Sequence, residues 1–185
     1  DTDTFNIFYD ATNTGSISGK IDDNGGTDDE INLSGVVPAN AGANVTVNLE
    51  TAEVTTDNIT VSPLVGEFAS DIDRIVGTGD REDLLIGPND VNAWSITGAN
   101  EGTVDGIAFV DFPNLTGGSG DDTFTLDAPG HLTGTLDGGA QATTDPGDTL
   151  EGDQIDDVTL TGSDGDGFSG TEADITGGFA GIDRL

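Results

Sequence analysis

The chain repeats itself, and that repeat limits its fold more than any single motif does. Residues 3–35 read DTFNIFYDATNTGSISGKIDDNGGTDDEINLSG, and residues 122–152 read DTFTLDAPGHLTGTLDGGAQATTDPGDTLEG. Phe5 aligns with Phe124, Ile17 with Leu132, Gly19 with Gly134, and Ile21-Asp22 with Leu136-Asp137. Asp29 and Ile31 align with Asp148 and Leu150. A second pair follows in the same order: GEFASDIDRI at 66–75 and GGFAGIDRL at 177–185, with Phe68 on Phe179 and Arg74 on Arg184. The unit is therefore roughly 110–120 residues long, and the sequence divides into 1–76, the later part of one unit, and 77–185, most of the next. The expectation is a segment of a longer tandem array, continuous across that boundary.

Within each unit the apolar residues alternate. NVTVNL at 44–49 places Val45, Val47 and Leu49 on one face; NITVS at 58–62 does the same with Ile59 and Val61. AWSIT at 93–97 pairs Trp94 with Ile96, DTFTL at 122–126 pairs Phe124 with Leu126, and DVTLT at 157–161 pairs Val158 with Leu160. Period-two runs bounded by Gly, Asp and Asn read as short strands. No long window shows helical spacing, and Gly or Pro interrupts nearly every one. The fold expected is all-β: an elongated β-solenoid or β-roll-like stack of short strands joined by Gly/Asp turns. The alternative is tandem Ig-like β-sandwiches, which a period of this length also suits.

Charge narrows the partners. Thirty-six acids stand against four Lys and Arg, a formal net charge of −32. Nucleic acid and anionic membrane surfaces are polyanions and are excluded as partners. The compact chain must also offset its own repulsion, through bound cations or through high salt. Much of the acid sits beside glycine, as in GTGD, GGSGDD, LDGG, DPGD and SDGDG. That clustering favours cation sites; a halophilic surface is the other source of such acid. Cys is absent, which removes disulfides, thiolate zinc and thiol nucleophiles. No apolar run approaches the ~18 residues of a membrane span.

GGSGDDTF at 117–124 matches G-G-x-G-x-D-x-hydrophobic at Gly117, Gly118, Gly120, Asp122 and Phe124. It resembles the haemolysin-type (RTX-like) calcium-binding repeats. With GHLTGTLDGG at 130–139 it also resembles the tandem repeats of giant secreted bacterial adhesins. The resemblance implies Ca²⁺ bound by Asp122 or its neighbour Asp121, with glycine providing the turn and Asp the hard oxygen ligand. GTGDREDLL at 77–85 is a looser version with Asp80 and Asp83, and DGGAQATTDPGDTL at 137–150 an opened one with Asp145 and Asp148. Two further acidic loops, DDNGGTDDE with Asp22 and Asp28 and GSDGDGF with Asp164 and Asp166, are candidate cation turns or exposed acidic turns.

Catalysis has little in its favour. The single His, His131, falls at a strand-like repeat position, no G-x-S-x-G elbow occurs, and paired carboxylates are uninformative among so many acids. Arg74 recurs as Arg184 and is expected in a structural ion pair with a neighbouring Asp. The expected function is a non-catalytic, calcium-stabilised structural repeat of a large secreted surface adhesin or extracellular matrix fibre. Its partners would be neighbouring repeats of the same protein, with assembly into filaments. The alternative is a calcium-dependent carbohydrate-binding module and, behind it, a polysaccharide lyase.

Overall fold

The computed structural model describes residues 3–6, 28–35, 45–51, 53–56, 59–61, 72–140 and 147–185. Asp22, Asp145, Ile17 and Phe68 lie outside the described residues. These residues contain no helix and form seventeen strands in two sheets.

In the first half run β1 (Thr4–Asn6), β2 (Glu30–Asn32), β3 (Val45–Asn48), β4 (Glu53–Thr56), β5 (Ile59–Val61), β6 (Arg74–Val76) and β7 (Leu84–Ile86). Next come β8 (Ala93–Gly98), β9 (Glu101–Val104), β10 (Ile107–Val110), β11 (Asn114–Gly118) and β12 (Thr123–Leu126). The chain closes with β13 (Leu136–Gly139), β14 (Thr149–Glu151), β15 (Thr159–Ser163), β16 (Phe168–Glu172) and β17 (Ile175–Ile182). The first sheet has the order β1-β2-β6-β10-β9-β8-β12-β14, the second β15-β16-β17-β13-β11-β7-β3-β4-β5.

Strands far apart in sequence pair in parallel, and strands joined by tight turns pair antiparallel. In the second sheet β3, β7, β11, β13 and β17 form a parallel block, with the β4–β5 pair at one end and β16–β15 at the other. The register places Val47, Leu85, Leu115, Leu136 and Phe179 in one line across the strands. The first sheet repeats the device with Phe5–Ile31–Ile75–Phe109 and with Trp94–Phe124–Leu150. Like side chains thus stack on like, and these lines, apart from half-buried Phe5, belong to one buried core. Trp94 is its largest member, stacked on Phe124 at 5.4 Å between ring centroids and edge-on to Phe109 at 6.0 Å.

The β9–β10 hairpin has a local cause. Asp105 and Gly106 both take positive φ, 48° and 93°, as the two central residues of a tight hairpin turn require. At the other end β15 is exposed along its whole length, and Leu160 is half exposed. Of the alternating pair at 157–161, Val158 packs against the core just before β15 and Leu160 does not. The strand's neighbours are β16 on one side and solvent on the other, so Leu160 has nothing to pack under.

Candidate functional site

Six strands of the first sheet, β1, β2, β6, β8, β12 and β14, share the kind of residue that stands just before them. Asp3, Asp29, Asp73, Asn92, Asp122, Asp148 and Asp183 all stand one residue ahead of a paired position and two ahead of an apolar residue, which is buried in the core in every case but half-buried Phe5 and exposed Leu185. The carboxylates of Asp29, Asp73, Asp122, Asp148 and Asp183 each accept the backbone N–H of the counterpart on an adjacent strand. Asp3 donates its N–H to Asp29 Oδ1 at 2.8 Å, and Asp29 donates to Asp73 Oδ2 at 2.9 Å. Asp122 donates to Asp148 Oδ1 at 2.6 Å, and Asp148 to Asp183 Oδ2 at 3.1 Å. The N–H of Asn92 extends the second series, reaching Asp122 Oδ1 at 2.8 Å.

The two series correspond bond for bond. The amides of Asp73 and Arg74 both reach the Asp29 carbonyl, and those of Asp183 and Arg184 both reach the Asp148 carbonyl. The sequence repeat is thus a repeat of a hydrogen-bonded carboxylate ladder. Backbone donors at the sheet corner would otherwise be buried without acceptors, which costs about 1–3 kcal/mol apiece.

Glycines make room for the ladder. A Cβ on Gly117 would collide with Asp122 Oδ2 and with the Gly138 carbonyl; a Cβ on Gly138 would collide with Asp148 Oδ2 and with the Gly181 carbonyl. Gly120 lies against the Asp90 carbonyl, and Gly118 adopts φ 131° beside the Pro88 carbonyl. The glycines of GGSGDD therefore admit a neighbouring backbone and a buried carboxylate.

Asp122 and Asp148 are fully buried. The Asn92 side chain closes over Asp122, donating Nδ2–H to Asp122 Oδ1 at 2.6 Å and to the carbonyls of Pro88 and Asp90 at 2.9 Å. Asp122 Oδ2 is buried with no hydrogen-bond partner among the described residues. Loss of solvent is the main cause that raises both carboxyls, Asp122 to about 6 and Asp148 to about 7. The backbone N–H groups of Asn92 and Asp122 oppose the rise, and the neighbouring acids add to it.

Asp83 belongs to a related corner before β7. It is buried, accepts the Val45 N–H at 2.9 Å, and receives both the N–H and hydroxyl of Thr78. Burial raises its carboxyl despite those bonds. Half-buried Asp80 donates its N–H to Asp83 Oδ2 and accepts that of Glu82, while Asn114 Nδ2–H ties the turn to β11 through the carbonyls of Arg81 and Asp83.

The remaining acids are dispersed. Asp121 is half-buried beside Asp122. Asp164 and Asp166 are exposed and joined by one bond, the Asp166 N–H to Asp164 Oδ1. Asp28 is exposed with φ 67° and borders a cavity of about 370 Å³ with Thr4, Glu30, Asp73, Arg74 and Ala108. Arg74 pairs there with Glu30 at 3.2 Å, so its salt-bridge partner is a Glu rather than the Asp expected from the repeat.

Calcium takes six to eight oxygens from converging carboxylates and carbonyls. Among the described residues no three His, Asp or Glu side chains converge as a metal cage. Asp122 has committed one oxygen to Asn92 and packed the other against Gly117. These residues do not fit the calcium turn that the motif resembles. Asn92, Asp29, Asp73 and Asp183 escaped the sequence reading, although one signal marks them all: Asp or Asn, any residue, then an apolar residue.

The ladder predicts a cost for losing its neutral member. Asn92→Ala removes the four contacts of its side-chain amide, to Asp122 Oδ1 and to the carbonyls of Pro88, Asp90 and Gly117, and strips the cover from Asp122. Urea unfolding should show a loss of about 2 kcal/mol. A change within about 0.5 kcal/mol, the range of ordinary surface substitutions, would contradict the assignment.

No family model, no curated protein and no solved structure matches the chain.

Proposed function

We propose that the chain is a non-catalytic structural module, a β-solenoid-like stack that serves as a spacer within a larger extracellular adhesin or matrix fibre. The observation behind this reading is the recurrence of one ladder, Asp3–Asp29–Asp73 and Asp122–Asp148–Asp183, with the same bonds in both copies. A corner that repeats in register suits a fold that grows by adding strands. Parallel pairing of strands distant in sequence favours the stack over an Ig-like sandwich, whose sheets are antiparallel. The extracellular adhesive role comes from the family resemblance of GGSGDDTF. The resemblance assigns stabilisation to calcium; in this reading the ladder, with Asp29, Asp122 and Asp148 buried, contributes to it as well.

The residues that could do chemistry point the same way. The His131 ring contacts the Pro129 carbonyl at 3.2 Å, and its backbone joins a bridge to Ala99. The test is a series of one, two and three copies of the 185-residue chain in tandem, measured by small-angle X-ray scattering. A stiff spacer lengthens by a constant increment per copy. Copies that scatter as independently tumbling beads would overturn the spacer reading. Saturable binding on a glycan array would favour the carbohydrate-binding alternative instead, and unsaturated products from an acidic polysaccharide would favour a lyase.

A further inference from the structure

We propose that the outer edge of β15, centred on Leu160, is the docking site for a strand equivalent to β7 in a following copy of this repeat. The proposal deepens the spacer reading and rests on it, because it names the surface by which one unit would hold the next. Among the described residues β15 pairs with β16 alone, and it is exposed along its whole length. An unpaired edge is a template for another strand.

The internal repeat identifies the occupant. NVTVNL at 44–49 aligns with DVTLTG at 157–162, and TTDNIT at 55–60 with TEADIT at 171–176. The strand pairing follows the same alignment. Thr46 lies opposite Thr55 as Thr159 lies opposite Thr171, and Val47 opposite Val54 as Leu160 opposite Gly170. The next turn agrees as well, with Thr56 opposite Ile59 and Glu172 opposite Ile175. β15 is therefore the counterpart of β3, and β16 of β4.

The two counterparts differ on their other edge. There β7 runs parallel to β3, with Thr46 opposite Leu84, Val47 opposite Leu85 and Asn48 opposite Ile86. The Val45 N–H reaches Asp83 Oδ1 at 2.9 Å, and the Leu49 N–H reaches the Ile86 carbonyl at 2.9 Å. Val45 and Val47 are fully buried, whereas Leu160 is half exposed. The first sheet has the same contrast. Ile75 is fully buried beside Phe109 of β10, and its counterpart Leu185 is 55% exposed. One stretch, residues 77–110, thus covers two edges of the first unit, β3 through β7 and β6 through β10. The same stretch in a following copy would cover both edges of the second. Leu85 of that copy would lie opposite Leu160, and its Asp83 carboxylate would accept the Val158 N–H. TLTGS of β15 and LLI of β7 are uncharged, so no like charges face each other along the two strands.

The experiment is amide hydrogen exchange on two chains, the 185-residue chain and one in which a second copy of residues 76–185 follows Leu185 directly. The added copy continues the alignment of Leu185 with Ile75, and it brings β7 and β10 without a β3 or β6 of its own to cover them. The amides of Val45 and Leu49 point to β7, and amides two apart on a strand point the same way, so Val158 and Leu160 are the ones that face the open edge. In the 185-residue chain they should exchange as an open strand edge, while Val45 and Val47 are protected. In the extended chain they should slow by about 100-fold or more, into the range of Val45 and Val47. Equal exchange of Val158 and Leu160 in both chains overturns the docking site, whatever the added copy does. So does strong protection of these amides in the shorter chain at micromolar concentration, since the edge would then be covered without a further copy. Small-angle X-ray scattering of the extended chain separates the docking site from the spacer reading beneath it. One rigid, elongated particle with open β15 amides removes the docking site and leaves the spacer; two independently tumbling bodies with open β15 amides remove both.

Discussion

Replacing Gly138 by alanine is expected to lower stability by about 2–4 kcal/mol, a Tm loss of roughly 5–15 °C. The added methyl meets two groups that cannot yield separately. One is the carbonyl of Gly181 on the neighbouring strand, and the other is Oδ2 of Asp148. Moving the strand breaks the β13–β17 pairing that aligns Leu136 with Phe179. Moving the carboxyl pulls Oδ1 away from the Asp122 amide. Gly117→Ala should behave alike, because its methyl meets Asp122 Oδ2 and the Gly138 carbonyl. Neither position has a positive φ, so the cost is steric rather than conformational. Gly162→Ala and Gly165→Ala are the controls, since a methyl at either site meets nothing within 4 Å and their φ is not positive. They should change stability by less than about 0.5 kcal/mol. Equal effects at all four sites would separate the glycines from the ladder.

Trp94→Ala is expected to be the most damaging single truncation, at about 3–5 kcal/mol. The side chain is 1% exposed and lies between Phe109 and Phe124. It also links the two parts of the first sheet, pairing with Phe124 on β12 and with Val104 on β9. Removing it leaves a cavity where two blocks of strands join, so the loss reaches beyond one rung. A domain of ordinary stability has about 5–15 kcal/mol in total, and this variant falls near the lower margin. The same truncation at half-exposed Leu160 should cost less than about 0.5 kcal/mol. Urea melts of the two variants check the contrast, and similar midpoints would place Trp94 outside the core.

Period-two alternation located the strands at 44–49, 58–62, 93–97 and 122–126, because strand faces alternate wherever one side is buried. It misjudged Leu160, since alternation records which residues share a face and not whether another layer covers it. The Asp105-Gly106 hairpin carried the Asp-Gly signal of a tight turn, and the parallel pairing did not, because partners such as Leu85 and Leu115 are chosen by the stack. The site was harder to read. Glycine beside aspartate serves a cation turn and a close-packed carboxylate corner alike. What separates them is the fate of each oxygen, and that depends on Asn92, thirty residues from Asp122. The repeat held the better clue: Asp-Thr-Phe, Asp-Glu-Ile, Asp-Arg-Ile, Asp-Thr-Leu and Asp-Arg-Leu each put an Asp one residue before a strand position and two before an apolar residue. Such spacing is what a backbone-binding corner needs.

Amide hydrogen exchange in calcium-free buffer tests the ladder most directly. The N–H groups of Asn92, Asp122 and Asp148 each end on a buried or half-buried carboxylate of the next strand. They should be protected with EDTA present, to the same degree as the core amides of Phe124 and Leu150. Exchange at the rate of an open turn until calcium is added would contradict the ladder and return these aspartates to the role of metal ligands.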